Sequence, residues 1–276
     1  MSQSPVTLVQ LTDPHLFADP AGRLRGVPTL AALRATLAAA SAQIQSCHAV
    51  LATGDLVQDE IGGYVHFRQA FAGLGKPVLC IPGNHDDAPA LTQALQGAPF
   101  QVGGHVDILG WRVVLLDSSV ARQAQGALSP AQLAALDAAL ATAPGAHALI
   151  ALHHHPVSLG SEWLDTVGLA NAEEFFAVID RHPTVRGIVF GHVHQPFETS
   201  RRGVRILGTP STCAQFLPRS ADFVVDSLPP GYRVLTLSPT GQIDSQVVWL
   251  SEAQRHQLTT GGVSVRTATS QNSLRI

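Results

Sequence analysis

Short apolar runs and amphipathic segments alternate along the first two thirds of the chain. The apolar runs have the length of buried strands and cover residues 6–10, 49–52, 77–81, 112–116, 147–152 and 187–190. Segments with few helix breakers follow several of them and predict helices at residues 30–46, 63–72, 130–141 and 172–181. Ser129 followed by Pro130 supplies an N-cap and first-turn signal for the third of these helices. The alternation predicts a layered α/β fold.

After Gly203 the pattern changes to shorter β-type runs, at residues 204–207, 233–237 and 246–250. From about residue 254 the chain is polar and rich in Gly, Ser and Thr, which is typical of a frayed terminus. The sequence contains no internal repeat and no linker that would divide it. We therefore predict one domain at residues 1–253 and a flexible C-terminal tail at residues 254–276.

Polar clusters rich in histidine follow five of the predicted strands. Seven of the 13 histidines lie in the clusters Asp13-Pro14-His15, Gly54-Asp55, Gly83-Asn84-His85-Asp86, His153-His154-His155-Pro156 and Gly191-His192-Val193-His194. Ligands of open α/β sheets bind in the crevice outside the carboxyl ends of the strands. Clusters that are far apart in sequence can therefore converge on one pocket. The glycines before Asp55, Asn84 and His192 are expected to allow the sharp turns that aim these side chains inward.

Carboxylate, imidazole and amide-oxygen groups together suit divalent ions such as Fe²⁺, Mn²⁺ or Zn²⁺. Strands that end in adjacent or i, i+2 ligand pairs can hold two such ions, with one carboxylate bridging them. A lone Gly-Asp or Gly-His-x-His is a weak signal. Five clusters in this order, each after an apolar strand, are a specific one.

Composition and charge narrow the class of substrate. The chain is 45% hydrophobic and 13% charged, with a formal net charge of −3 and no basic cluster longer than Arg201-Arg202. A nucleic-acid polymer would call for a basic face, so DNA and RNA are not expected partners. A small phosphate ester needs no such face when metal ions supply the positive charge.

The cysteines and the N-terminus bear on the compartment. Cys47, Cys80 and Cys213 are an odd number without paired spacing, which indicates reduced thiols. The first residues show no basic or apolar region of a signal peptide, and no apolar run reaches the roughly 20 residues that span a bilayer. We expect a cytoplasmic protein without a membrane partner. The sequence does not fix the oligomeric state, for which a homodimer is one alternative.

The ordered clusters resemble those of the calcineurin-like metallophosphoesterase superfamily. Further stretches resemble its class III cyclic-nucleotide phosphodiesterases, and among these the bacterial group that acts on 3′,5′-cyclic AMP; they lie at residues 12–17, 52–56, 153–156, 163–165 and 210–213. The resemblance covers roughly residues 6 to 250. It implies a four-layer α/β/β/α sandwich with a dinuclear metal site at the carboxyl ends of the strands.

The resemblance also implies a role for each matching residue. One metal would be held by Asp13, His15, Asp55 and His194, and the other by Asp55, Asn84, His153 and His192, with Asp55 as the bridge. The metals would be Fe²⁺ or Mn²⁺, with Zn²⁺ as an alternative, and a water between them would attack phosphorus in line. His85 would donate a proton to the leaving 3′-oxygen or stabilise its charge. The substrate, cyclic AMP, would contact His15, Asn84, His85 and His194.

Several alternatives stay open. Spacing alone does not choose among the three consecutive histidines, and we favour His153 over His154 because it comes first after the strand, as the family ligand does. The same site would serve 2′,3′-cyclic nucleotides or glycerophosphodiesters. A non-catalytic scaffold is disfavoured because no ligand is missing. A phosphoprotein substrate is disfavoured because residues 58–60 read Gln-Asp-Glu, where the protein phosphatases carry Asp-Arg-Gly.

For four further residues we expect ordinary structural roles. Asp86 and Asp87 are predicted to cap a helix that begins near Pro89. Asp117, which follows a strand, is predicted to be a turn residue and not a catalytic one. Cys213 is predicted to be a small buried hydrophobe.

Overall fold

The computed structural model describes residues 4–143, 147–254 and 258 of the 276. Its strands are, in chain order, β1 (Val6–Leu11), β2 (Arg23–Leu24), β3 (Val27–Pro28), β4 (Ala49–Thr53), β5 (Val78–Ile81), β6 (Phe100–Val102), β7 (Gly104–Ile108), β8 (Trp111–Leu115), β9 (His147–Leu152), β10 (Val185–Phe190), β11 (Phe197–Arg201), β12 (Val204–Gly208), β13 (Gln215–Phe216), β14 (Val225–Asp226), β15 (Gly231–Leu237) and β16 (Ile243–Trp249). Its helices are α1 (Thr29–Ala39), α2 (Ser41–Ser46), α3 (Gly63–Ala72), α4 (Ala88–Ala94), α5 (Pro130–Ala141), α6 (Glu162–Asp165) and α7 (Ala172–Ile179).

Most of the described strands form two six-stranded sheets. The first has the order β16-β15-β1-β4-β5-β6, and the second has the order β11-β12-β10-β9-β8-β7. In each sheet four neighbouring strands are parallel: β1, β4, β5 and β6 in the first, and β12, β10, β9 and β8 in the second. Antiparallel strands complete both sheets. The central parallel strands are buried on both faces, which explains their continuous apolar sequences.

The side chains sort into three apolar layers that separate four layers of structure. One cluster lies between the sheets and contains Leu8 and Leu51 of the first sheet and Val113 and Leu149 of the second. A second cluster joins the outer face of the first sheet to helices α1 to α4. A third joins the outer face of the second sheet to α5, α6 and α7. The arrangement is the expected α/β/β/α sandwich.

The predicted elements are present with boundaries within a few residues, except in the first helix. The predicted helix at residues 30–46 is divided into α1 and α2 at Ala40, where no Gly or Pro marks the break. Helix α5 begins as expected: Ser129 and Gln132 form a reciprocal capping box, and Pro130 occupies the first turn.

The prediction for residues 86 and 87 is half right. Asp87 is the N-cap of α4, and its carboxylate accepts a hydrogen bond from the Ala90 amide. Asp86 caps no helix, because its carboxylate accepts hydrogen bonds from the amides of Leu56, Val57 and Gly83. Asp86 therefore ties the loops that follow β4 and β5 to each other.

The predicted C-terminal tail, residues 254–276, lies almost entirely outside the described residues. Of the predicted tail, only residues 254 and 258 belong to the described residues, and the others lie outside them. None of the described helices combines the length and the apolar character that a bilayer crossing requires.

Candidate metal centre

The loops after β1 and β10 bring three ligand-type side chains together. His15 Nε2 lies 2.9 Å from His194 Nε2, and His194 Nε2 lies 3.3 Å from Asp13 Oδ1. All three side chains are almost fully buried, with Asp13 at 0% exposure. One ligand atom from each lies within 4.8 Å of the other two, a spacing that one metal ion can span. These are three of the residues that were expected to hold the first metal.

A second group comes from the loops after β5, β9 and β10. Asn84 Oδ1 lies 2.9 Å from His192 Nδ1 and 3.2 Å from His153 Nε2. An amide oxygen between two imidazole nitrogens suits a borderline divalent ion. These are three of the residues that were expected to hold the second metal.

Asp55, which follows β4, lies between the two groups. Its Oδ2 atom is 3.6 Å from His15 Nε2 and 3.4 Å from His153 Nε2. Its other oxygen, Oδ1, accepts a hydrogen bond of 2.9 Å from the backbone amide of His85. One carboxylate oxygen therefore faces both groups of nitrogens, as the predicted bridging role requires.

Five of these seven residues have left-handed backbone conformations. Their φ angles lie between +46° and +68°, a region that non-glycine residues rarely adopt, and they are Asp13, His15, Asp55, His192 and His194. Each such residue costs on the order of 1–3 kcal/mol and persists only where the surrounding structure enforces it. Strain of this kind concentrates at functional sites, and the proposed ligands account for five of the eleven non-glycine residues with positive φ in the described part of the chain.

The glycines in the clusters act in two ways. Gly54 has φ +99°, so it provides the turn that was expected. Gly83 and Gly191 lie outside the left-handed region, but their carbonyl oxygens accept hydrogen bonds from the amides of Asp86 and Val193, so the chain turns there as well. These two glycines also make room for neighbouring side chains. A Cβ atom at Gly83 would lie 2.2 Å from Asp55 Oδ1, and one at Gly191 would lie 2.2 Å from Thr12 Oγ1.

Backbone carbonyls set the tautomers of two histidines. His153 Nδ1 lies 2.8 Å from the Thr53 carbonyl oxygen, and His194 Nδ1 lies 2.7 Å from the Ala214 carbonyl oxygen. A carbonyl oxygen only accepts, so both Nδ1 atoms carry the proton and donate it. In the neutral form of each ring, the Nε2 atom then faces the cluster with its lone pair, which is how outer partners orient metal-binding histidines.

The two histidines that follow His153 have other polar partners, although a nitrogen of His154 lies within 4.8 Å of ligand atoms of His153 and His192. His154 Nδ1 lies 2.8 Å from Ser118 Oγ, and His155 Nε2 lies 3.8 Å from Asp165 Oδ1. Neither makes a hydrogen bond to Asn84 or an ion pair with Asp55, whereas His153 contacts both. This geometry favours His153 as the ligand.

The buried carboxylates of Asp13 and Asp55 are ionised only because positive charge lies beside them. Burial works to raise the pKa of Asp55, but the charge of His153 and the hydrogen bond to it outweigh burial and hold the pKa well below its usual range. The pKa of Asp13 is also lowered, with His194 as the main opposing influence to burial. Burial alone would lower the pKa of His153, but the charge of Asp55 raises it to about 9. Divalent cations would supply this compensating charge, so the donor set fits a metal centre.

His85 lies at the open side of the site. Its ring centroid is 5.2 Å from that of His15, and its side chain is 33% exposed. Its Nδ1 atom lies 3.0 Å from Asp59 Oδ1 and 3.0 Å from Gln58 Nε2. His85 is therefore accessible to a substrate, while Asp59 fixes the orientation of its ring.

Sequence reasoning missed three supporting residues. Ser118 Oγ accepts hydrogen bonds from the amides of His153 and His154, and no motif singles out this serine. Asp59 was considered only as a departure from the phosphatase pattern. Asp117 was expected to be a plain turn residue; its Oδ1 accepts hydrogen bonds from Ser119, but it also lines a cavity beside Asn84 and His85.

Comparisons with known proteins identify the family and the fold of the chain. A family model described as calcineurin-like phosphoesterase matches residues 6–196. The 3′,5′-cyclic adenosine monophosphate phosphodiesterase CpdA of Vibrio vulnificus is 41% identical over 249 residues, which are 90% of this chain and 91% of the relative. The CpdA of Pseudomonas aeruginosa is 39% identical over 243 residues, which are 88% of this chain and 89% of the relative. A dimetal phosphatase from Danio rerio is 15% identical, covers 90% of this chain and 100% of its own, and superposes with a TM-score of 0.64, which shows the shared fold.

Proposed function

The chain belongs to the calcineurin-like phosphoesterase family, and on that premise we propose that it is a metal-dependent phosphodiesterase that hydrolyses 3′,5′-cyclic AMP to 5′-AMP. Relatives described as cyclic-AMP phosphodiesterases share about 40% identity with it over nine tenths of its length. Every position of the expected ligand set carries a suitable side chain, which argues against a scaffold that has lost its metals.

One observation carries the proposal: Asp55 Oδ2 lies between His15 Nε2 and His153 Nε2, at 3.6 and 3.4 Å. We infer that Asp13, His15, Asp55 and His194 hold one divalent ion, and that Asp55, Asn84, His153 and His192 hold the other. Iron or manganese suits this mixture of oxygen and imidazole ligands, with zinc as an alternative.

When bound, the two ions would polarise the phosphate oxygens and provide a strong nucleophile from water at neutral pH. The residues of the chain do the remaining work. Asn84, His15 and His194 border the space where the phosphate would lie. His85 is the group that can deliver a proton to the leaving 3′-oxygen, because it is accessible and is not part of either ligand group. Asp59 accepts a hydrogen bond from its Nδ1 atom and so keeps the ring in place.

The thiols bear on the compartment. Cys47, Cys80 and Cys213 are buried and unpaired. We infer a cytoplasmic enzyme, where cyclic AMP is the small-molecule partner and thiols stay reduced.

The substrate is tested by a steady-state comparison on protein reconstituted with Mn²⁺ or Fe²⁺. The panel contains 3′,5′-cyclic AMP, 2′,3′-cyclic AMP, glycerophosphocholine and bis(p-nitrophenyl) phosphate, and Asp55→Asn serves as the inactive control. We expect the highest kcat/KM on 3′,5′-cyclic AMP. A preference for 2′,3′-cyclic AMP or the glycerophosphodiester would replace our proposal with the broader activity, and no turnover of any ester would point to a scaffold.

A further inference from the structure

A cavity of about 560 Å³ opens directly beside the candidate metal centre. It shares Asn84 and His85 with the centre and extends away from it to Arg122, in the loop after β8. Its volume lies within the range of small-molecule sites. A nucleotide whose phosphate lies at the metals would have its nucleoside part here.

The cavity is a slot between loops of the two sheets. Val57, Ile61 and Pro89 line it from the first-sheet side, and Val120 and Arg122 line it from the second. Ile61 is 65% exposed, which is high for a large aliphatic side chain. None of the described lining residues is Phe, Tyr or Trp, so a flat ligand would find no large aromatic ring to stack on. The flat polar groups of the lining are the Asn84 amide and the His85 imidazole, at the end next to the metal centre, and the Arg122 guanidinium.

The charged side chains that line the cavity differ in whether they have hydrogen-bond or ion-pair partners. The Asp59 carboxylate contacts His85, and the Asp86 carboxylate accepts hydrogen bonds from three backbone amides. The Asp87 carboxylate caps α4. Arg122 is different. The arginine ion pairs of the described chain use Arg112, Arg181, Arg201, Arg202 and Arg205, and Arg122 is not among them.

The loop that carries Arg122 is anchored at the metal centre. Ser118 Oγ accepts the amides of His153 and His154, and the Ser118 carbonyl accepts the amide of Ala127. Val120 and Gln123 form an isolated bridge that closes the turn around Arg122. The backbone at Arg122 is therefore held in place relative to the proposed ligands.

We propose that this slot binds the planar base of the nucleotide, with the Arg122 guanidinium stacked on the base and Ile61 and Val57 on the apolar side. Guanidinium groups stack on π systems, and nucleobases stack on Arg planes in other nucleotide sites. The inference rests on the proposed phosphodiesterase function and adds which residues recognise the base.

The test measures inhibition, so that it does not depend on cyclic AMP turnover. With bis(p-nitrophenyl) phosphate as the reporter substrate, the inhibition constants of 5′-AMP and ribose 5-phosphate are compared; the two differ by the base. In the wild type we expect 5′-AMP to bind on the order of tenfold tighter. In Arg122→Ala the ratio should fall close to one. In Arg122→Lys it should also fall, because an ammonium group keeps the charge but lacks the plane.

Arg219→Ala is the matched control. Arg219 is also exposed and has a similar φ of +57°, but it does not line the cavity. It should keep the wild-type ratio. An unchanged ratio of the two inhibition constants in Arg122→Ala would overturn the base site. If both affinities fell equally, Arg122 would act on the phosphate. Hydrolysis of the reporter without hydrolysis of cyclic AMP would refute the proposed function alone, and inactivity on both esters would refute both.

Discussion

Asp59 Oδ1 lies 3.0 Å from Nδ1 of His85. The His85 ring has a nitrogen within 4.8 Å of the ligand atoms of His15 and Asp55. The Asp59 carboxylate thus contacts the His85 ring at the edge of the proposed metal centre. We expect this pair to serve proton delivery and not metal binding.

We expect His85→Ala to lose activity and keep its metals. A proton donor outside the ligand set should leave metal content intact, while kcat on cyclic AMP falls by about 10²–10⁴-fold. The loss should be smaller on bis(p-nitrophenyl) phosphate, whose leaving group needs no proton. Steady-state kinetics and elemental analysis on the same preparation check this.

His105→Ala is the control for His85→Ala, because His105 is exposed on β7 and lies outside every ligand group in the described chain. It should be unchanged in both measurements. If His85→Ala loses metal, or slows equally on both esters, then His85 is not the acid.

We expect Asp59→Ala to act only through His85. Its kcat should fall less than that of His85→Ala, with metal content unchanged, because the imidazole remains but is no longer oriented. The double variant should be no slower than His85→Ala alone, since residues that act as one unit are not additive. An additive loss in the double variant would show a separate role for Asp59.

Asn84→Ala should lower both metal occupancy and activity, because its amide oxygen lies among the nitrogens of the second group. Asn84→Asp, which keeps an oxygen at the same place, should retain more metal than the alanine variant. Elemental analysis after reconstitution measures the difference. Full occupancy with full activity in Asn84→Ala would remove Asn84 from the ligand set.

Protein purified without chelator should contain more than one equivalent of Fe, Mn or Zn, because Asp55 faces two groups of nitrogens. Returning Mn²⁺ to chelator-treated protein should raise Tm by several degrees, since a ligand that binds only the folded state stabilises it. The rise should be smaller for Asp55→Asn. At most one equivalent in fully active protein would contradict the dinuclear arrangement.

The thiols should resist alkylation at pH 8 in the native protein and react after unfolding. Burial raises the pKa of Cys213 to about 12 and also raises the pKa of Cys47 and Cys80, so only about one Cys213 in 10⁴ would be a thiolate at pH 8. Because folding raises the pKa of these thiols, burial of the neutral thiols contributes to the free energy of unfolding in full below their unfolded pKa near 8.5. This contribution declines as the pH rises above that value. Mass spectrometry of iodoacetamide-treated protein, and urea unfolding at pH 8 and 10, measure the two effects. Rapid native alkylation of Cys213 would contradict its burial.

The central strands and the polar clusters that follow them were predictable because both depend on local sequence. A strand buried on two faces must be apolar throughout, and a change to Asp or His at its end is visible without a structure. Strands β7 and β11 were not foreseen because their residues are mostly exposed and show no apolar run. The division of the first predicted helix at Ala40 was not predictable, because no Gly or Pro lies at that point.

The supporting residues of the site were hidden for a different reason. Asp86 lies next to a helix cap in sequence, yet two of its partners are amides 30 and 29 residues away, at Leu56 and Val57. Ser118 likewise acts on a strand end 35 residues further along the chain. Such pairings depend on which strands become neighbours, and sheet order is a property of the packed sandwich that no single stretch encodes.

The left-handed backbone at five of the proposed ligands has a consequence for how the family could diverge. Glycine is at ease in that conformation, whereas Asp and His are not. Glycine at His192 or His194 would relieve that backbone strain, but it would also remove a buried ring, in the case of His194 one that is stacked on Phe216 at 4.0 Å. At this edge of the sheet, backbone relaxation and side-chain packing therefore act on stability in opposite directions, so a descendant that loses these ligands need not gain stability by losing them.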